Sequence, residues 1–349
     1  MTNNPLGRLS YIDVLKIVAT FAIVVLHVSA LYVRMDAQLI NPSGALPYAL
    51  NNYARTALPL FMMISGVLLM RDGYRFKLRQ KFHFIFKNYV VWSAIYVLIE
   101  QGFRWLAGTP LLSFSELLSA WVQGPYHFWY LQMLLGVYLL MPILSRIRPL
   151  QILSYTTLVM FVIIYIYGPV SEHLPAALHT FIDELILMKP ATMLFFFLLG
   201  ASIHRLPLTR NLAISSGVLL LFGIGCRAFQ LFSTATYQDA SLLEPFDTYS
   251  ELALAAGFCY LVRYLMRNRE SSKTMQYLSG CTLRIYITSA LFIFAYQILI
   301  QPYWDALVPW PTLSVLVWSV VVFLCGWLTA HLLTRKDRYL RARKERRTS

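Results

Sequence analysis

The run from Tyr11 to His27 is apolar except for three ionisable residues, Asp13, Lys16 and His27. Read as a helix at about 100° per residue, it sets Lys16 and His27 roughly 20° apart around the axis and roughly 16 Å apart along it. Asp13 falls within about 60° of Lys16, so the three form one polar seam. Ionisable groups are expensive in hydrocarbon, and where they occur they mark a functional site or pair inside a helix bundle. An imidazole is also the side chain best suited to take a proton from an alcohol near neutral pH. His27 is therefore the candidate catalytic base, with Lys16 and Asp13 as its companions. A structural reading stands beside this one: Asp13 and Lys16 as an interfacial pair with Lys16 snorkelling, and His27 as a hydrogen-bonding group between helices.

Other polar residues converge on the same depth. Arg55 precedes the segment Pro59 to Gly66, and His127, Trp129 and Tyr130 open a later apolar stretch. With Ser65 they are candidates for binding an acceptor. Each has a plainer alternative: Arg55 as an interface anchor, Trp129 and Tyr130 as part of an aromatic belt, and Ser65-Gly66 as a small-residue packing contact.

The elements that must position these residues follow from composition. The chain has 349 residues, 58% of them hydrophobic and 13% charged, with a mean hydropathy of +0.57; soluble domains carry roughly 25% charged residues. Its long apolar runs lack the period-2 alternation of barrel strands, which leaves helices as the only way to satisfy backbone groups in lipid. Segments of spanning length begin near Tyr11, Ala54, Tyr89, Phe128, Ile152, Ala191, Asn211, Tyr249, Met275 and Thr312. The expectation is an all-α polytopic membrane protein of about ten transmembrane helices, with a membrane domain over residues 1–334 and a basic tail over 335–349.

Charge sets the orientation, because cytoplasmic loops retain Lys and Arg. One side receives Arg8, the run from Arg71 to Lys87, Arg146, Arg148, Arg205, Arg210, Arg263, Arg267, Arg269, Lys273 and the tail. The other receives most acids, among them Asp36, Glu116, Glu172, Asp183, Glu184, Asp239, Glu244, Asp247 and Asp305. Both termini are expected in the cytoplasm. The net charge of +14 is then a topology signal and not a nucleic-acid footprint, since the folded soluble surface that a nucleic-acid reader needs is missing. The first segment is too long for a signal peptide and carries Asp13 and Lys16, so it is expected uncleaved. Cys226, Cys259, Cys281 and Cys325 are widely spaced in apolar stretches and read as core residues, with no metal-ligand spacing.

At these residues the chain resembles the integral-membrane acyltransferase family 3. The resemblance rests on Asp13, Leu15, Lys16 and His27, on Arg55 with Pro59, Leu60, Phe61, Ser65 and Gly66, and on His127, Trp129, Tyr130 and Leu131. The Phe-Phe-Leu-Leu-Gly run ending at Gly200 and the region near Tyr249 extend it along nearly the whole chain. It implies transfer of an acyl group, commonly acetyl from cytoplasmic acetyl-CoA, to hydroxyls of envelope glycans across a bacterial inner membrane. It further implies His27 as the catalytic histidine, with Lys16 in the place of the family's usual arginine. Two departures bear on the donor side. Ser289 stands where many members have histidine, and Arg284 replaces a glycine.

The basic loop Arg75, Lys77, Arg79 and Lys81 is the candidate site for the CoA phosphates, although the positive-inside rule accounts for the same charges. His27 would act as general base or be acylated in passing. His179 and Asp183 have the spacing of some soluble acyltransferases but lie in an outer loop without that fold. Gly223 and Gly225 lack a preceding strand and read as helix packing, not nucleotide binding. A glycan transporter or flippase, or a non-catalytic family member, remains the alternative from another class; the internal repeat common among transporters is not visible.

Overall fold

The computed structural model describes residues 7–35, 42–74, 76–106, 108–147, 149–167, 188–233 and 249–348. Every regular element among them is helical: α1 (Ser10–Met35), α2 (Pro42–Ala54), α3 (Ala57–Leu69), α4 (Leu78–Leu106), α5 (Phe114–Gln123), α6 (Trp129–Leu144), α7 (Leu150–Phe161), α8 (Met188–Arg205), α9 (Arg210–Ser233), α10 (Tyr249–Leu265), α11 (Lys273–Ala295), α12 (Gln301–Leu307) and α13 (Pro311–Thr348). Short π-helical turns extend α7 and α11, over Val162–Tyr167 and Tyr296–Ile300. Among the described residues six stretches are long and apolar enough to cross a membrane: Ser10–Val33, Leu78–Leu106, Phe114–Ile147, Arg210–Phe229, Lys273–Leu307 and Pro311–Asp337. The other expected segments are helical but shorter or more polar. At 1.5 Å per residue the 13 residues of α3 reach about 20 Å, short of the roughly 30 Å hydrocarbon layer.

The chain divides into two compact units, residues 1–71 with 150–349, and residues 72–149. In the first, α1 lies against α2, α3, α10, α11 and α13, which is why most of its faces are buried. Val24 and Val28 meet Ile293 and Val322 in a fully buried cluster.

Two helix crossings bring backbones into direct contact, as small residues allow where helices associate without water. Gly66 of α3 and Gly200 of α8 face one another. A Cβ built on Gly66 would fall 1.8 Å from the Phe197 carbonyl oxygen, and one on Gly200 would fall 2.2 Å from that of Met63. The second crossing joins α9 to α10, where a Cβ on Gly223 would meet Leu254 at 2.9 Å and one on Gly257 would meet the Ser216 carbonyl at 2.8 Å. The packing expected of Gly66 and Gly223 is thus present, whereas Gly225 has open space around it.

The second unit is built from α4, α5 and α6. Helix α4 begins at Leu78, eleven residues before Tyr89, because its polar first turns escape a hydropathy reading. Ser113 caps α5 in a reciprocal capping box with Glu116, and Gly124 ends it at φ 70°, a left-handed conformation that glycine adopts without penalty. The Tyr89 hydroxyl donates to the carbonyls of Val122 and Gln123 at 2.8 and 2.7 Å and accepts from Gln132 Nε2 at 2.7 Å.

Substituting the crossing glycines tests this packing. Gly66→Ala and Gly200→Ala force a side chain onto a carbonyl that cannot rotate away, a cost at or above the roughly 1–3 kcal/mol of overpacking. Gly217→Ala, in open space on α9, is expected to be neutral or to gain up to about 1 kcal/mol of helix propensity. Thermal unfolding in detergent separates the two: a melting point lowered by the first pair and unchanged or raised by the third.

Candidate active site

The polar seam of α1 is anchored at its start. Arg8 Nε and Nη2 donate to the two Asp13 carboxylate oxygens at 2.7 and 2.8 Å, and Nη2 also reaches the Gln276 carbonyl at 2.9 Å. Such a two-pronged pair is geometrically specific. With Asp13 only 3% exposed, it ties the first turn of α1 to α11. The carboxylate also sits at the helix N-terminus, where the backbone dipole favours negative charge. The carboxylate expected to accompany Lys16 is therefore engaged by Arg8.

Farther along the seam, Lys16 and His27 are partly accessible in a helix whose Leu15, Ala19, Thr20, Val24 and Val28 are buried. Thr20 returns its hydroxyl to the Lys16 carbonyl at 2.7 Å. The turn bearing His27 is gripped from α2: Asn51 Nδ2 donates to the Leu26 carbonyl at 2.9 Å and to Ser29 Oγ at 3.1 Å. Ser29 lies two residues from His27, about 200° around the axis. Asn51 thus holds the helix on the side away from the imidazole and leaves His27 on the Lys16 stripe.

Asn51 also begins a second cluster, one that the reading of α1 alone did not single out. Its Oδ1 accepts from Arg55 Nε at 3.3 Å. Arg55 in turn lies within electrostatic range of Arg227 on α9 and Glu251 on α10. Arg227 and Glu251 form an ion pair, at 1% and 0% exposure. Gly223 lies one turn before Arg227 and meets the Ser250 carbonyl, so the close α9–α10 crossing lets the two charges meet. Thr56, beside Arg55, adjoins Glu251, and the Tyr53 hydroxyl donates to the Ile224 carbonyl at 2.8 Å, fastening the end of α2 to α9. Arg227 and Glu251 satisfy the same rule that singled out His27, ionisable residues in apolar segments; applied to the seventh and eighth segments it finds them.

Near the start of α1 the bases act as caps and ties. Arg71 donates to the Gly7 carbonyl at 2.9 Å, Arg205 to that of Met70 at 3.1 Å and Arg263 to that of Ile203 at 3.0 Å. The last two meet carbonyls at the C-terminal ends of α3 and α8, where cations are favoured. Tyr11 and His204 hydrogen-bond at 2.9 Å. Arg284, in place of the family's glycine, binds Thr334 and Asp337 of α13, so its role is to hold α13 against α11. Ser289 returns its hydroxyl to the Tyr286 carbonyl at 3.1 Å. Ser65 does the same to Phe61 at 2.9 Å.

Asp13, Lys16, His27, Arg55 and Ser65 belong to the first unit; Lys77, Arg79, Lys81, His127, Trp129 and Tyr130 belong to the second. Lys77, Arg79 and Lys81 are exposed. The expected basic loop is corrected here: Arg79 and Lys81 lie in the first turn of α4, because that helix begins before its apolar span. Arg75 lies outside the described residues, as do Asp36, Glu172, His179, Asp183, Glu184, Asp239, Glu244 and Asp247. His127 sits in a short 3-10 turn before α6, 2% exposed, with the rings of Tyr96, Tyr126 and Phe128 at 5.3, 5.2 and 4.6 Å. Tyr130 is buried and Trp129 half-buried. Cys259 and Cys281 are buried, Cys226 and Cys325 partly so, and all four are free thiols.

The chain is thus a helical membrane bundle with a histidine and a lysine on one stripe of its first helix and a buried Arg227–Glu251 pair between α9 and α10. The acyltransferase family 3 model, described as an acyltransferase domain, matches residues 9–331; the chain belongs to this family. No curated protein and no solved structure matches it.

Breaking the buried pair tests its part in the fold. Arg227→Met or Glu251→Leu alone strands a buried partner and is expected to cost roughly 3–5 kcal/mol, whereas the two together remove both charges and recover much of that loss. A double-mutant cycle of unfolding free energies in detergent checks it; additive losses would mean the two charges do not support one another.

Proposed function

We propose that this acyltransferase is a multi-pass inner-membrane O-acyltransferase, with about ten spans and both termini cytoplasmic, that moves acetyl from cytoplasmic acetyl-CoA to a hydroxyl of an envelope polysaccharide or lipid-linked glycan. The observation that supports it most is the placement of His27. It is an accessible imidazole in an otherwise buried turn of the central helix, on the stripe of Lys16, in a chain of an acyltransferase family. The bases Arg8, Arg71, Arg205 and Arg263 gather with the start of α1 through the bonds described above, as expected of a cytoplasmic end.

In this reading Lys77, Arg79, Lys81 and Arg75 are the candidates for the CoA phosphates, and Lys16 and His27 are the candidates for the acyl-transfer step. An imidazole nitrogen of His27 takes the proton of the acceptor hydroxyl as its oxygen attacks the thioester carbonyl. The tetrahedral intermediate then collapses, the carbon–sulfur bond breaks, and the CoA thiolate recovers the proton. Lys16 offers a point charge without the planar fork of arginine. Arg55, Ser65, His127, Trp129 and Tyr130 are the acceptor-binding candidates. A narrower reading, the O-acetyltransferase acting on enterobacterial common antigen, rests on similar size and local sequence.

General-base catalysis contributes about 10² to 10⁴ in rate, so His27→Ala at equal expression is expected to lose at least about a hundredfold. The assay is transfer of labelled acetyl from acetyl-CoA into glycan by membranes containing the protein. Retained transfer in His27→Ala contradicts the mechanism. No transfer by the native protein, with several acyl-CoAs and acceptor-rich membranes, favours a transporter or a non-catalytic member.

A further inference from the structure

We propose that Arg55, backed by the Arg227–Glu251 ion pair, is the receptor for an anionic group of the acceptor, a sugar carboxylate or a lipid-linked phosphate. This rests on the acyltransferase reading and names the class of acceptor it takes.

Charge inventory is the first ground. The described residues of the cluster hold two guanidiniums, Arg55 and Arg227, and one carboxylate, Glu251. The carboxylate is already bound to Arg227, so among the described residues of the cluster positive charge exceeds negative by one, in a setting where charge is costly.

Hydrogen-bond inventory is the second. Arg55 gives only Nε to a described residue, across 3.3 Å to Asn51, and its two Nη groups meet none. Beside it, Arg227 Nε, a donor, is buried without a hydrogen-bond partner. Buried polar groups are nearly always paired, so this exception asks for an explanation.

Orientation is the third. A snorkelling arginine extends its head toward water. Arg55 is part-buried, held by Asn51, and close enough to the fully buried Arg227 and Glu251 to feel their charges. It is therefore held beside the buried pair.

A planar guanidinium offering two parallel N–H groups is shaped for a carboxylate or phosphate. Such a ligand offsets the positive excess among the described residues of the cluster, which a neutral sugar cannot. Asn51 connects this receptor to α1, on the face away from His27, because the side chain that steadies Arg55 also bonds Leu26 and Ser29. An acceptor anchored by its anion on Arg55 is thereby held to a fixed part of α1.

The test is binding, read without turnover. Full-length protein and its Arg55→Gln and Arg55→Lys forms, in nanodiscs of zwitterionic lipid, are titrated with glucuronate against glucose, and with polyprenyl phosphate against polyprenol, following thermal stabilisation. One anion is expected to stabilise the native protein where its neutral counterpart does not, glucuronate identifying a carboxylate and polyprenyl phosphate a lipid-linked phosphate. Arg55→Gln is expected to weaken the apparent Kd at least about tenfold, with Arg55→Lys between, since it keeps the charge and loses the fork. If neither anion is preferred, or Arg55→Gln binds as tightly as the native chain, Arg55 is an interface anchor and the proposal is wrong. Anion binding that survives in His27→Ala leaves this proposal standing whatever becomes of the catalytic one.

Discussion

A helix inside a bilayer has no water to answer its polar side chains, so every hydroxyl, amide and charge brought inside must find a partner among neighbouring helices or its own backbone. Much of this structure follows from that requirement. Thr20, Ser65, Thr157, Thr288 and Thr329 return their hydroxyls to carbonyls four residues earlier, the local solution open to a short side chain. Charges need partners from other elements. Asp13 finds Arg8 and Glu251 finds Arg227. Around Arg55 the described residues leave guanidinium donors without partners, and that departure is the ground for assigning a ligand there.

Close backbone contact makes these long-range pairs possible. Gly66 against Gly200, and Gly223 and Gly257 between α9 and α10, bring helices nearer than side chains permit. The α9–α10 approach carries Arg227 to Glu251, and the Tyr53 bond to Ile224 carries the end of α2, with Arg55 just beyond it, to the same place. Helix α1 meets five other helices, and Asn51 grips it opposite His27, so the imidazole's position depends on packing several turns away. The catalytic reading and the anion reading thus draw on one bond network while assigning different side chains to different tasks.

Much of this was legible in the residues themselves. An apolar run interrupted by Asp13, Lys16 and His27 announces a polar stripe, because charge in hydrocarbon has few explanations. Packing by Gly66 and Gly223 was readable for a similar reason: small residues in lipid-facing sequence serve close approach. The partner of Asp13 was not readable. Arg8 lies outside the apolar run, and helical spacing within the run points to Lys16 instead. The start of α4 was hidden because Arg79, Lys81 and Lys87 depress its hydropathy while leaving its helix propensity intact. Helix α5 is amphipathic and too short for a spanning window, so it announces itself only through the Ser113–Glu116 capping box. Arg227 and Glu251 are each isolated in their own segments, and only the α9–α10 crossing shows them to be one pair. Arg284 read as a departure from the family until its contacts with Thr334 and Asp337 gave it a structural task.

In the proposed reaction, acyl transfer crosses the membrane along α1, from the end ringed by arginines to the end where Asn51 and Arg55 meet. A sided assay tests it most directly: sealed vesicles of known orientation, labelled acetyl-CoA supplied to one face only, and acceptor glycan recovered from each face. The account predicts label in glycan on the face opposite the donor, and only when the donor meets the face carrying the basic residues Arg8, Arg71, Arg205 and Arg263. Label appearing only in glycan on the same face as the donor would contradict it.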